Sequence, residues 1–371
     1  MDAIQQIEAA FETHVEAGLH HGAQLALYHE GDLVLSLAGG TTGPDGEETT
    51  PERKHVLFSC TKPYAGVALH RCVEESWISY DDPVIEHWPG FAEEGTEKAA
   101  ITVRHVLSHQ AGLHQTEFDA QPERWPDWER AVEAMENAEL TFTPGETAAY
   151  HALSYGFLVG ELVRRASGQP IDQFLDENLF SPLGMDDTDL GIPEGEPDTT
   201  ASLAGFEPGE RARSMDAGLD AFSNAEAAAL FDQEAIHRAV IPAASATGSA
   251  RDMARFYSCL ANGGELDGTR ILERSTIDAM TTEQVNVEKD ATLGVPRRYG
   301  MGFVLGGSPW GKFGTVSPSR VFGHGGLGSI VGWADPEAEL AFAYVTNGIR
   351  DEFEHSLRVN ALADAVRAAL R

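Results

Sequence analysis

The chain is poor in lysine and cysteine, and it contains no uninterrupted apolar run of membrane-spanning length. Lysine occurs only at positions 54, 62, 98, 289 and 312, whereas the 371 residues carry 59 acidic side chains and a formal net charge of −33. Nucleic acids and anionic membranes are bound through basic patches, so this balance excludes both as expected partners. Cys60, Cys72 and Cys259 are odd in number and show no CxxC or Cys/His spacing. Neither a disulfide framework nor a metal site is therefore expected, and a reducing cytoplasm fits. The stretch from Met1 to Leu19 lacks a basic segment followed by an apolar one, so no secretory signal is expected.

The acidic residues are spread along the whole length rather than gathered in a tail. Dispersed charge of this size repels itself within a compact fold, and near 1 M salt, where the screening length is about 3 Å, that repulsion largely vanishes. The composition thus suggests a protein of a high-salt cytoplasm. Nothing in it sets an oligomeric state.

Two motifs of other enzyme classes are absent or misplaced. No GxSxG occurs, which disfavours the α/β-hydrolase elbow. Gly323-His324-Gly325-Gly326-Leu327-Gly328 matches GxGxxG, but it lies near the end of the chain and is followed by the strand-like run from Ile330 to Ala334 rather than by a helix. A dinucleotide-binding turn opens a helix in a βαβ unit, so that reading is rejected. Glycines in a strand instead imply that something approaches the backbone closely, as a substrate does along a sheet edge. His324 would then face the cleft.

What the chain does contain is a nucleophile and a possible base one helical turn apart. Ser59 and Lys62 are three residues apart, with the apolar run Ala65, Val67, Ala68, Leu69 and Cys72 behind them. If a helix starts near Ser59, the i,i+3 spacing puts both side chains on one face. Its N-terminus also points unpaired N–H groups at any oxyanion formed there.

Ile4, Ile7, Phe11, Val15 and Leu19 recur at helical spacing, and Ala23 to Tyr28 with Leu33 to Ala38 read as a hairpin around His29-Glu30-Gly31-Asp32. From Ser59 to about residue 285 the pattern is mainly helical. It includes a capped segment from Ile101 to His109, a helix from Ser249 to Leu260, and an acidic, loop-rich connection from Gly191 to about Ala235 that could cover a cleft. His105 and His109 lie four apart but lack the glutamate of HExxH and a third ligand, so structural roles are expected. Strands return at Tyr299 to Leu305, Val321 to His324, Ile330 to Ala334 and Leu340 to Thr346. A final helix is marked by Phe353, Leu357, Leu362, Val366 and Leu370. The expected fold class is α+β, an antiparallel sheet flanked by N- and C-terminal helices with a mainly helical lobe inserted. Residues 1–58 and 286–371 would form the α/β lobe, and 59–285 the helical lobe.

Tyr150 stands in the turn Thr143-Pro144-Gly145-Glu146-Thr147-Ala148-Ala149-Tyr150-His151-Ala152, just ahead of the apolar run from Tyr155 to Val163. A tyrosine so placed can shuttle a proton.

In combination these stretches resemble the serine β-lactamase and penicillin-binding-protein-like superfamily, especially its class C-like branch with the family VIII carboxylesterases. Ser59-Cys60-Thr61-Lys62 is similar to the SxxK motif, Tyr150-His151-Ala152 to YxN and His324-Gly325-Gly326 to KTG. The resemblance extends nearly over the whole chain, through Asp81 to Val84, the stretch ending His109-Gln110-Ala111-Gly112-Leu113, Pro144-Gly145 and Asp335-Pro336. It implies a β-lactamase/transpeptidase-like fold with the cleft between two lobes, and a serine hydrolase that needs no cofactor. It further implies Ser59 as nucleophile, Lys62 and Tyr150 sharing the base and acid work, and an oxyanion hole from the backbone N–H groups of Ser59 and Leu327. Substrate would lie along His324, Gly325, Gly326 and Leu327. Two departures bear on substrate. Ala152 replaces an asparagine that contacts the substrate amide in the antibiotic-hydrolysing relatives, and His324 replaces a lysine that helps bind the β-lactam carboxylate. Both favour a carboxylesterase on small or short-chain acyl esters. A β-lactamase or D-amino-acid peptidase, or a non-catalytic binding protein on the same fold, are the alternatives.

Overall fold

A computed structural model of the protein describes residues 3–207, 222–308 and 310–370. Its centre is an eight-stranded antiparallel sheet of β1 (Gly22–His29), β2 (Asp32–Gly40), β3 (Val285–Val287), β4 (Arg297–Tyr299), β5 (Val304–Leu305), β6 (Phe322–Gly326), β7 (Ile330–Asp335) and β8 (Leu340–Thr346). The strand order is β2-β1-β8-β7-β6-β5-β4-β3, so both ends of the chain meet where β1 pairs with β8. The β1–β2 turn is Glu30-Gly31, and both residues have positive φ (53° and 84°), which matches the right-handed twist of a two-residue hairpin.

Period-two alternation sends β1 side chains to two different cores. Leu25 and Leu27 join Trp333, Phe342 and Tyr344 beneath α1 (Ala3–Glu16) and the C-terminal helix, while Ala26 and Tyr28 join the larger core on the opposite face. In α1, Ile7 and Phe11 are the buried residues, and Gly18 with φ of 66° follows its end. The main helices between the strands are α2 (Thr61–Glu74), α3 (Ser154–Ser167) and α4 (Ala250–Ala261), with α5 (Glu352–Ala369) closing the chain. α2 packs on α3, and nearly every side chain of α2 up to Cys72 is buried.

α4 packs against β1, β7 and β8, although in chain order it falls within the stretch proposed as the helical lobe. Its N-cap Ser249 accepts the N–H of Asp252 on its side-chain oxygen, which starts the helix after the short strand Ala246–Gly248. The division into 1–58 with 286–371 and 59–285 is thus a proposal about chain order, with α4 crossing it in space.

Two expectations are corrected. The run from Tyr299 to Leu305 is two strands rather than one, because Gly300 N–H turns back on Phe303 O and Gly302 takes φ of 89°. In α5 the buried face is His355, Val359, Leu362, Ala363 and Val366, whereas Leu357 is 59% exposed. The segment from Gly191 to Ala235 contains regular structure. Ala204–Gly205 pairs in parallel with Gly348–Ile349, and a helix covers Asn224–Phe231; residues 208–221 of this stretch lie outside the described residues. Among the described residues no helix is long and apolar enough to cross a membrane.

Candidate active site

Ser59 sits in a single 3₁₀ turn, Phe58–Cys60, that feeds directly into α2. The turn is held from several sides. Leu57 N–H donates to Ala246 O at 2.7 Å, Thr61 Oγ1 donates to Phe58 O at 2.6 Å, and Cys60 Sγ donates to His324 O at 3.2 Å. Phe58 adopts φ of 46°, a left-handed conformation that costs a non-glycine residue about 1–3 kcal/mol and persists only where surrounding contacts over-determine it. As the opening turn of a helix, this segment has N–H groups without intrahelical acceptors.

Lys62 is 1% exposed, and its Nζ lies 3.1 Å from Ser59 Oγ. It also donates to Ala152 O at 2.7 Å and to Ala243 O at 3.1 Å. Burial pulls its pKa from 10.5 down to about 7. In the neutral amine the two N–H bonds are taken by the two carbonyls, which leaves the lone pair aimed at the serine hydroxyl.

Tyr150 completes the group, its OH donating to Ser59 Oγ at 2.7 Å and Lys62 Nζ standing 4.8 Å from its ring centre. Burial pushes its phenol above the ordinary value, so it is a proton-bearing donor at neutral pH. Tyr150 is not on a helix; it is pinned in an irregular turn. Ala149 N–H donates to His109 O at 3.0 Å, Tyr150 N–H to Asp290 Oδ1 at 3.1 Å, and His151 N–H to His109 Nδ1 at 3.1 Å. Asp290 is fully buried and also accepts from the backbone of Thr292 and Leu293 and from Tyr299 OH. His109 packs its ring among those of Tyr150, Tyr155 and Tyr299, and burial holds its pKa well below the usual value. His105 serves the capping box of the helix at Val103–Leu107 through Thr102, so the two histidines do not converge.

The opposite wall is the end of β6. His324 is buried, its Nδ1 lies 2.7 Å from Gly325 O, and burial first, then the nearby Lys62 charge, lower its pKa to about 3. It is therefore an uncharged imidazole whose Nδ1 donates to the carbonyl. Gly326 approaches the turn carrying Ser59 so closely that a methyl group there would stand 2.8 Å from Leu57 O. Leu327 N–H has no backbone or side-chain acceptor among the described residues. Ser59, Lys62, Tyr150 and His324 thus lie together, with Gly326 against the turn that carries Ser59 and with Gly325 and Leu327 on either side of it in the chain.

Sequence reasoning missed Asp290, His109 as a backbone clamp, the Ala243 carbonyl, and the pair Lys312–Glu352 beside Gly325. None carries a local signature, since each acts on a residue far away in the chain. Among the described residues one cluster has metal-ligand geometry, Asp82, Glu86 and His87, and it includes no residue of the cleft.

A family model described as Beta-lactamase matches residues 7–367. An esterase/beta-lactamase of Mycobacterium tuberculosis, LipL, is 34% identical over 343 residues, which is 88% of this chain and 77% of that protein. The crystal structure of a penicillin-binding protein homolog from Caulobacter crescentus superposes with a TM-score of 0.84 at 30% identity, covering 100% of this chain and 98% of the other. That of a family VIII carboxylesterase superposes with a TM-score of 0.85 at 27% identity and the same coverage.

Proposed function

This chain belongs to the beta-lactamase family and is a serine hydrolase of that fold, and from there we propose that it is a carboxylesterase acting on small or short-chain acyl esters through an acyl-enzyme on Ser59. The observation that carries the choice is the environment of Lys62. Where an amide side chain would reach both lysine and substrate, Ala152 supplies only its main-chain carbonyl, and the β6 wall presents an uncharged His324. An ester has a good leaving group and asks little of amide- or carboxylate-recognising contacts.

In the proposed cycle Lys62 Nζ takes the Ser59 proton as Oγ attacks the ester carbonyl carbon. The carbonyl π electrons move onto oxygen, where the N–H groups of Ser59 and Leu327 stabilise them. Collapse breaks the bond to the leaving alkoxide, which receives the Tyr150 phenol proton; Lys62 then restores the proton to Tyr150. Water reverses these steps to release the acid. A lysine with pKa about 7 is suited to the first transfer near neutral pH, whereas the Tyr150 phenol is held protonated for the second.

The test is hydrolysis of 4-nitrophenyl acetate and butyrate beside a chromogenic cephalosporin, with Ser59→Ala as control. Ester turnover that disappears in Ser59→Ala and exceeds cephalosporin turnover is expected. Faster cephalosporin cleavage would establish the lactamase reading instead, and equal activity of wild type and Ser59→Ala would remove the mechanism.

A further inference from the structure

The end of β6 next to the uncharged His324 is approached by a lysine from elsewhere in the chain. Lys312 lies in the connection between β5 and β6, and its stem crosses the end of β6. A methyl group on Gly325 would stand 2.9 Å from Lys312 Cδ and 3.1 Å from its Nζ. The Lys312 side chain is 12% exposed, and its charge reaches His324.

That ammonium is already matched. It forms an ion pair with Glu352 Oε2, at the first turn of α5, and the other carboxylate oxygen accepts the Gly328 N–H at 3.2 Å. Glu352 is held as the anion by its position: burial opposes ionisation, but Lys312, the more distant charge of Arg297 and the Gly328 N–H outweigh it and keep the carboxyl below its usual range. The first turn of a helix favours negative charge in the same sense. The carboxylate remains half exposed, so it fixes Lys312 from the solvent side while the lysine stem faces Gly325.

We propose that Glu352 neutralises Lys312 at the edge of the catalytic cleft and thereby directs the enzyme toward uncharged esters and away from acyl donors that carry a carboxylate. A carboxylate-bearing substrate lying along β6 finds a cation whose field is cancelled and a second carboxylate behind it. Removing the Glu352 charge turns the same lysine into an anion subsite; removing the lysine leaves a carboxylate without its ion-pair partner, balanced only by the more distant Arg297, and it repels such substrates. This inference rests on the esterase reading, and it names residues that touch neither Ser59 nor Lys62.

The experiment compares kcat/KM for two anionic esters, 4-nitrophenyl hydrogen succinate and 4-carboxyphenyl acetate, with that for the neutral 4-nitrophenyl butyrate and acetate. Glu352→Gln keeps an acceptor for the Gly328 N–H and is expected to raise the anionic-to-neutral ratio about five- to tenfold for at least one pair. Lys312→Met is expected to lower it, and the double variant to return it near the wild-type value. Which of the two anionic esters responds shows whether the acyl or the alcohol part lies at Gly325. Ratios that stay unmoved in both single variants, with turnover of neutral esters intact, overturn the inference and leave the esterase reading standing. Loss of Ser59-dependent turnover of neutral esters in wild type overturns both.

Discussion

Asp290 holds the backbone N–H of Tyr150 at 3.1 Å from 140 residues further along the chain. The same carboxylate collects Thr292 N–H, Leu293 N–H and the Tyr299 hydroxyl, so Tyr150 is fixed by its main chain rather than by a helix.

Asp290→Ala leaves these buried donors without an acceptor, at about 1–3 kcal/mol for each group that finds no substitute. The expected result is a fall in melting temperature together with a loss of kcat larger than any change in KM. Asp290→Asn keeps one acceptor oxygen and is expected to lie between the two. Thermal unfolding and steady-state kinetics on 4-nitrophenyl butyrate decide it; an Asp290→Ala enzyme with wild-type kcat would show that Tyr150 needs no such anchor.

Lys62→Met is expected to lower kcat/KM by about 10²–10⁴-fold, the range of a lost general base. In wild type kcat/KM is expected to rise with pH around a midpoint near 7, where Lys62 loses its proton. Stability follows the same group with a definite sign. The folded-state pKa is depressed below the unfolded value near 10.5, so between about 7 and 10.5 the unfolded chain binds more protons at this site and stability rises with pH. Below that window the site opposes folding, by on the order of 5 kcal/mol from the two pKa values. The difference in unfolding free energy between wild type and Lys62→Met should therefore grow in favour of wild type from pH 7 to pH 10. A flat difference would mean that burial does not depress this lysine.

Tyr150→Phe removes the hydrogen bond to Ser59 and the proton for the leaving alcohol while keeping the ring against His109 and Lys62. A loss of about 10²-fold in kcat with little change in KM is expected. Because burial raises the phenol pKa, wild-type activity is expected to show no fall attributable to Tyr150 up to pH 10. Activity of Tyr150→Phe within twofold of wild type would transfer the acid role elsewhere.

Gly326→Ala introduces a methyl group 2.8 Å from Leu57 O and 3.2 Å from Phe58 Cβ, both part of the turn that carries Ser59. Backbone cannot yield cheaply, so about 1–3 kcal/mol of stability and most of the activity should be lost together. Calorimetry and burst kinetics check it, and a fully active variant would show that β6 and the nucleophile turn are less closely coupled than this contact requires.

The net charge of −33 predicts that the melting temperature rises as potassium chloride is increased from 0.1 to 2 M. The screening length falls from about 10 Å at 0.1 M to about 3 Å at 1 M, which suppresses longer-range repulsion before short ion pairs such as Arg71–Glu75. A melting temperature that falls with salt would show that such pairs outweigh the dispersed repulsion.

Much of the fold was legible in the chain because the information is local. The Glu30-Gly31 turn, the alternation in β1 and the apolar stripe of α4 follow from periods of two and 3.6 residues. α5 was placed correctly but its buried face was not: Leu357 falls outside the stripe defined by Val359, Leu362 and Val366, and apolar identity alone does not say which side meets the sheet. The interruption at Gly300–Phe303 was likewise read through, because an apolar run with β propensity does not reveal where the chain turns on itself.

By itself the sequence determined the pairing of Ser59 with Lys62, since a spacing of three residues on one helical turn shares a face, and it determined the glycine-rich end of β6. Only the tertiary structure decided what those groups are chemically. Lys62 has its pKa lowered because it is buried, with its ammonium nitrogen against the carbonyls of Ala152 and Ala243. Tyr150 reaches Ser59 because Asp290 and His109 clamp its backbone, and the charge beside Gly325 is set by Lys312 and Glu352. The physical reason is separation along the chain: partners 40 to 181 residues apart share no periodicity, and desolvation exists only once the chain has packed around the group.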